Sequence, residues 1–98
     1  MNTVYETEVF SELLEGCDKR KKIWIEKIKD QLVNNLQVGK PLHFDWFREK
    51  KLGNQRLFYI INESTKKAVL ISFGTKKEQQ SIINHILANK ERYFKFVD

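Results

Sequence analysis

Hydrophobic and polar positions alternate over residues 3–9 (TVYETEV), with Tyr5, Thr7 and Val9 on one face and Val4 on the other. That period predicts a strand. The spacing then lengthens: Phe10, Leu13 and Leu14 fall at i, i+3 and i+4, which predicts a short helix ended by Gly16. Asp18 suits the N-cap of a second, longer helix. Its apolar side is Ile25, Ile28, Leu32 and Leu36, flanked by Trp24 and Val33, while Lys19, Lys21, Lys22, Lys27 and Lys29 are mostly directed to solvent. Gly39 and Pro41 close it. From Leu42 the period falls towards two. HFDWFR reads as a strand, Gly53-Asn54 as a turn, and RLFYIIN as a strand apolar on both faces and therefore central. Glu63 to Lys66 is a polar turn and AVLISF the next strand. Thr75 and Glu78 stand in the S/T-x-x-E spacing of a capping box, ahead of a helix carrying Ile82, Ile83, Ile86 and Leu87. ERYFKFVD then forms a tail whose aromatics Tyr93, Phe94 and Phe96 dock on the body. The predicted order is β-α-α-β-β-β-α. It describes one small α+β domain over residues 1–98, an antiparallel sheet packed against an N-terminal helical hairpin, with a C-terminal helix.

A chain of 98 residues with 41% hydrophobic content can build a single core without staples, burying roughly 60–65% of its unfolded surface. No apolar run reaches the roughly 18 residues of a membrane span, and no signal peptide opens the chain. The single cysteine, Cys17, cannot form an internal disulfide, which fits a reducing cytosol and a cytoplasmic location. His43, His85 and Cys17 are far apart in sequence, so no metal motif is formed. Neither a GxxxxGK[ST] phosphate loop nor a GxSxG nucleophile elbow is present, so a nucleotide cofactor and a nucleotide-hydrolysing enzyme of a common type are not expected.

The formal net charge of +5 hides an asymmetry. Residues 1–16 hold Glu6, Glu8, Glu12 and Glu15 and no basic side chain, so the other 82 residues carry 18 basic against 9 acidic ones, a net of +9. Trp24, Trp46, Phe47 and Tyr93 are interleaved with that charge. Such an excess favours a polyanionic partner, nucleic acid or an acidic protein. Lys76 and Lys77 are the sharpest part of the pattern. The capping-box spacing places them in the first turn of the last helix, where each cation opposes the macrodipole by roughly 0.3–1 kcal/mol. Holding an anion is the use that would offset this cost.

The order of these segments resembles the RelE/ParE superfamily of toxin–antitoxin toxins. A first strand and a helical hairpin ending in Gly39-Lys40-Pro41-Leu42 are followed by Leu52-Gly53-Asn54-Gln55-Arg56, which leads into the strand Leu57-Phe58-Tyr59-Ile60. Phe73-Gly74-Thr75-Lys76-Lys77 is similar to the Gly-x-Lys-Lys turn of the HigB-like branch. The resemblance covers nearly the whole chain and implies a metal-independent endoribonuclease that cuts messenger RNA on the ribosome and is restrained by an antitoxin. Arg56 matches the family's strand arginine and is the expected phosphate clamp, with Lys76 and Lys77 as further catalytic candidates for phosphate binding or proton transfer. Arg48, Lys50, Lys51 and Tyr93 are the RNA-contact candidates. Lys50 or Lys51 could also supply a base if desolvated, and Tyr93 could stand for the His or Tyr that many members carry near the chain end. Thr75 and Gln79-Gln80 depart from the family, lying where other members have further Arg or His, and His85 reads as a surface or half-buried side chain. Two other functions stay open: a gyrase-directed toxin of the ParE branch, and a non-enzymatic basic module that binds nucleic acid or an antitoxin. The hairpin pattern predicts that Arg56, Lys76 and Lys77 converge on one exposed concave face.

Overall fold

In the computed structural model, which describes residues 1–98, five strands form one sheet. The elements are β1 (Thr3–Glu6), α1 (Glu8–Glu15), α2 (Lys19–Asn34), β2 (Lys40–Leu42), β3 (Phe44–Leu52), β4 (Gln55–Asn62), β5 (Lys67–Thr75), a 3₁₀ turn (Lys76–Glu78), α3 (Gln79–Ala88) and α4 (Lys90–Val97). The strand order is β1-β5-β4-β3-β2, so β4 lies at the centre, as its uninterrupted apolar run requires. Every residue from Arg56 to Ile61 is buried.

Alternation in β4 divides the core in two. Leu57, Tyr59 and Ile61 pack with Phe10 of α1 and Trp24, Ile25, Ile28 and Leu32 of α2. Phe58 and Ile60 face the other way, joining Phe47 and Val69 beneath Ile83 and Ile86 of α3 and Tyr93 and Val97 of α4. The sheet is therefore covered on both faces. Asp18 caps α2 as its sequence suggests, its carboxylate accepting from the Lys21 amide at 2.9 Å.

Four local expectations change. α2 ends at Asn34, short of Gly39, and Lys40–Leu42 pairs with β3 as an additional edge strand. The first strand stops at Glu6, because the Thr7 hydroxyl accepts from the Phe10 amide at 3.0 Å and starts α1. β1 pairs with β5 in parallel, Thr3 opposite Lys67, so the sheet is mixed at that edge and antiparallel elsewhere. A strand that reaches its neighbour through a long crossover, here the α1–α2 hairpin and three further strands, can align with it in this sense. The aromatic tail is helical: Tyr93 and Val97, four residues apart, bury one face of α4 against the sheet, Phe94 packs beside them, and Phe96, expected to dock, lies on the exposed side.

Candidate functional site

The β3–β4 hairpin turns at Gly53, whose φ of +57° suits glycine, and its register pairs Leu52 with Gln55, Lys51 with Arg56 and Glu49 with Phe58. Directly opposed residues share a face, and faces alternate along each strand. The basic candidates therefore split. Lys51 and Arg56 lie on the α3/α4 face with Glu49, whereas Arg48 and Lys50 lie on the α2 face with Tyr59 and Leu57.

Arg48 is not available to RNA. It is buried, and its guanidinium donates to the carbonyls of Gln37 (2.9 Å), Gly39 (3.2 Å), Asp45 (3.2 Å) and Val38 (3.3 Å). Its charge fixes the loop that joins α2 to β2. The neighbouring Tyr59 hydroxyl also donates to Val38 O, and burial pushes its pKa up to about 12 against the opposing influence of Arg48.

Arg56 is equally buried, at 7% exposure, yet its surroundings differ. It stands opposite Gly74 on β5. Its nearest acidic atom is Glu49 Oε2, 3.9 Å from Nε and beyond hydrogen-bond reach, and neither Nε nor Nη1 has a hydrogen-bond partner. Glu49 is itself buried, its Oε2 accepting from Gln79 Nε2 at 2.6 Å and its Oε1 lying 3.8 Å from the exposed Lys40 ammonium. Sequence reasoning passed over Glu49 because it stands among charges in FREKKL. The signal was there: it shares Phe47's parity and lies diagonally across the hairpin from Arg56.

Lys76 and Lys77 are exposed on the 3₁₀ turn that leaves β5 beside Arg56. The turn begins two residues after Gly74 and ends at Gln79, so its two anchors are Arg56's cross-strand neighbour and the partner of Glu49. The lysines thus sit at Arg56's end of the sheet. The expectation of an open concave face is corrected, because Arg56 is covered. A Cβ added at Gly74 would lie 2.6 Å from Ile82 Cδ1, so α3 rests directly on the strand at that point. The capping box forms: the Glu78 carboxylate accepts from the Thr75 amide at 2.8 Å and the Thr75 hydroxyl at 3.0 Å. These bonds hold its pKa below the usual value. The turn's own glutamate thus takes the place of an external anion there.

Tyr93 is buried in the α3/α4 layer, with its hydroxyl 3.4 Å from His85 Nε2, and no hydrogen bond joins it to Arg56. It lines a cavity of about 400 Å³ with Val9, Ile71, His85 and Phe96. A second cavity of about 470 Å³ is walled by Trp46, Phe94, Asp45 and Glu63. Neither includes Arg56, Lys76 or Lys77. The structure therefore brings together Arg56, Lys51, Glu49, Gln79 and the Lys76-Lys77 turn, and sets Arg48, Lys50 and Tyr93 apart.

A single α+β domain with a five-stranded mixed sheet, an N-terminal helical hairpin on one face and C-terminal helices on the other has the architecture of the small RelE-type toxins. Solved structures of RelE from E. coli are among those the chain is similar to. RelE in the intact RelBE toxin–antitoxin complex superimposes with a TM-score of 0.67 at 14% identity, covering 76% of this chain and 96% of that one. A RelE mutant bound to an antitoxin RelB peptide gives 0.68 at 12% identity over 86% and 93% of the two chains. Isolated RelE gives 0.64 at 12% identity over 86% and 98%. No protein-family model matches the sequence, and no curated protein does. The chain has the RelE fold.

Proposed function

We propose that this chain is the toxin of a toxin–antitoxin pair and acts in the cytoplasm as a metal-independent endoribonuclease on messenger RNA at the ribosome. The single observation that carries this reading is Arg56, a buried guanidinium with no acceptor within hydrogen-bond distance, at the sheet end where Lys51, Lys76 and Lys77 gather. Buried polar groups are nearly always partnered, so an orphaned arginine calls for an oxyanion. A phosphodiester offers two oxygens to its planar fork. In the proposed reaction the RNA 2′-oxygen attacks the adjacent phosphorus, the bond to the 5′-oxygen breaks, and a 2′,3′-cyclic phosphate and a 5′-hydroxyl result. Arg56 would stabilise charge on the phosphorane, and Lys76 and Lys77 would hold phosphate or transfer protons. The partner that restrains it would be an acidic antitoxin segment whose carboxylates compete for the same cations, directly or by displacing the last helix.

Primer extension on translating ribosomes tests this. The parent chain should cut messenger RNA, and Arg56→Lys or Lys76→Ala/Lys77→Ala should lower the rate by about 10²-fold or more, the usual consequence of losing a transition-state donor. Full activity in both variants would remove the assignment. The second reading, a non-catalytic antitoxin-binding module, is favoured by the cover that Glu49 and Gln79 place over Arg56. It predicts no cleavage by the parent and intact antitoxin binding.

A further inference from the structure

Glu49 and Arg56 form an unusual pair. Buried arginine–carboxylate pairs normally close into direct, often bidentate hydrogen bonds. Here the closest approach is 3.9 Å, and Glu49 Oε1, Arg56 Nε and Arg56 Nη1 all lack hydrogen-bond partners. The charges are balanced while the hydrogen-bonding capacity of the guanidinium is unspent. The one hydrogen bond the Glu49 carboxylate accepts comes from Gln79, the first residue of α3. It is also the only side-chain hydrogen bond between α3 and the sheet, since Gln80 bonds Asn84 within the helix and His85 meets Tyr93 of α4. The neighbouring Glu78 is occupied with Thr75. Opposite Arg56, Gly74 is in close contact with Ile82, so the first turns of α3 lie over the arginine.

We propose that Glu49 is a resident anion that competes with RNA phosphate for Arg56, and that Gln79 fastens the 3₁₀ turn and the start of α3 over the pair. This rests on the reading of Arg56 as a phosphate-binding group and adds a positioning role for two residues that touch no substrate. In the closed state Glu49 neutralises the arginine and Gln79 keeps the carboxylate in place. Phosphate reaches Arg56 when the Gln79–Glu49 bond opens and the turn lifts. The incoming oxyanion then gains direct charge-assisted bonds that the carboxylate at 3.9 Å does not make. Lys76 and Lys77 ride on the moving turn, so opening exposes Arg56 and repositions both lysines together.

The side-chain Nε–H resonance of Arg56 in ¹⁵N-labelled protein, followed while inorganic phosphate is added, reads this competition at the site itself. Glu49→Gln keeps the shape and removes the charge, and should tighten phosphate binding at Arg56 by about tenfold or more, since a unit charge near 4 Å has been removed. Gln79→Ala should tighten it about three- to tenfold and speed hydrogen exchange at the Gln79 amide, which donates to Lys76 O in the closed turn. Gln79 is only half-buried, so this variant decides the matter alone if Glu49→Gln fails to fold. Binding no tighter than the parent in the folded variants overturns the proposal, as does an Arg56 signal that phosphate never perturbs. Loss of cleavage in Arg56→Lys alongside unchanged phosphate affinities would leave the ribonuclease reading intact and sink only the competition.

Discussion

Replacing Arg48 with Ala separates structure from function on this sheet. Four charge-assisted bonds, between 2.9 and 3.3 Å, would be lost to the carbonyls of Gln37, Val38, Gly39 and Asp45. Hydrogen bonds to charged groups contribute about 1.5–3 kcal/mol each. Gln37 and Asp45 are exposed, and water can take over their carbonyls, which leaves the full loss at Gly39 and a partial one at Val38, whose carbonyl keeps the Tyr59 hydroxyl. The expected cost is roughly 3–4 kcal/mol of unfolding free energy. At about 4–8 °C per kcal/mol for a domain of this size, Tm should fall by roughly 12–30 °C. Urea and thermal unfolding followed by circular dichroism measure this directly. Arg48→Lys should rescue little, because a single ammonium cannot serve acceptors spread from Gln37 to Asp45. Melting within about 1 kcal/mol of the parent, together with loss of RNA cleavage, would show that Arg48 serves the substrate and that its placement as a loop clamp is wrong.

Three further outcomes are expected. Lys51→Ala should weaken RNA cleavage or binding more than Lys50→Ala, because only Lys51 shares the face of Arg56; equal effects in a filter-binding series would contradict the register. Gly39→Ala should cost roughly 2–5 kcal/mol, read as a lowered urea midpoint, since φ is +80° there and a Cβ would stand 2.5 Å from Glu49 O. Stability should also fall between about pH 10 and 12. Burial favours the neutral Tyr59 phenol and raises its folded pKa to about 12, so its contribution of about 3 kcal/mol is complete below the unfolded value near 10 and lost above it. Tyr59→Phe should flatten this part of the profile. Lys29 adds to the same alkaline loss: partial burial lowers its pKa, but Glu6 at 2.8 Å and Glu26 outweigh it and the net is raised. At the acid end burial raises the Glu6 pKa, but Lys29 and Ser11 outweigh it. The net is lowered, so its contribution fades as pH falls below the usual carboxylate value.

Much of the fold was legible because period and capping agree with burial. The buried residues of α2 are Ile25, Ile28 and Leu32 of the predicted stripe and the flanking Trp24, with Leu36 buried beyond the helix end, and β4 is central because both its parities are apolar. Two features were not legible. β1 could be placed next to β5, and parallel to it, only by knowing that β2, β3 and β4 fill the other side of the sheet, which no local pattern states. The tail was read as docked aromatics, yet its spacing of Tyr93 and Val97 is helical, and its polar Lys90, Glu91 and Lys95 masked the period in a stretch of eight residues. At the site, hairpin parity alone separates Lys51 from Lys50 and Arg56 from Arg48. The cover over Arg56 depends on where α3 lands after β5, a tertiary fact that charge patterning cannot report.

Burial by itself does not distinguish the two arginines, which are 5% and 7% exposed. Acceptors do. Arg48 meets three carbonyls of the α2–β2 loop and that of Asp45 in its own strand, so its charge is used within the fold. Arg56 meets a carboxylate at 3.9 Å that is bonded elsewhere. Keeping a charged group dehydrated without bonds to it is costly, and a sequence under selection for stability alone would replace the pair with apolar residues of similar volume. An oxyanion that completes the arginine only part of the time, as proposed above, would account for such a pair next to a lysine-bearing turn. The variant that removes both charges, Glu49→Gln with Arg56→Met, should thus be at least as stable as the parent and inactive on RNA. A double variant that melts several kcal/mol below the parent would mean that the pair stabilises the fold, and the functional explanation of the under-bonded pair would lose its ground.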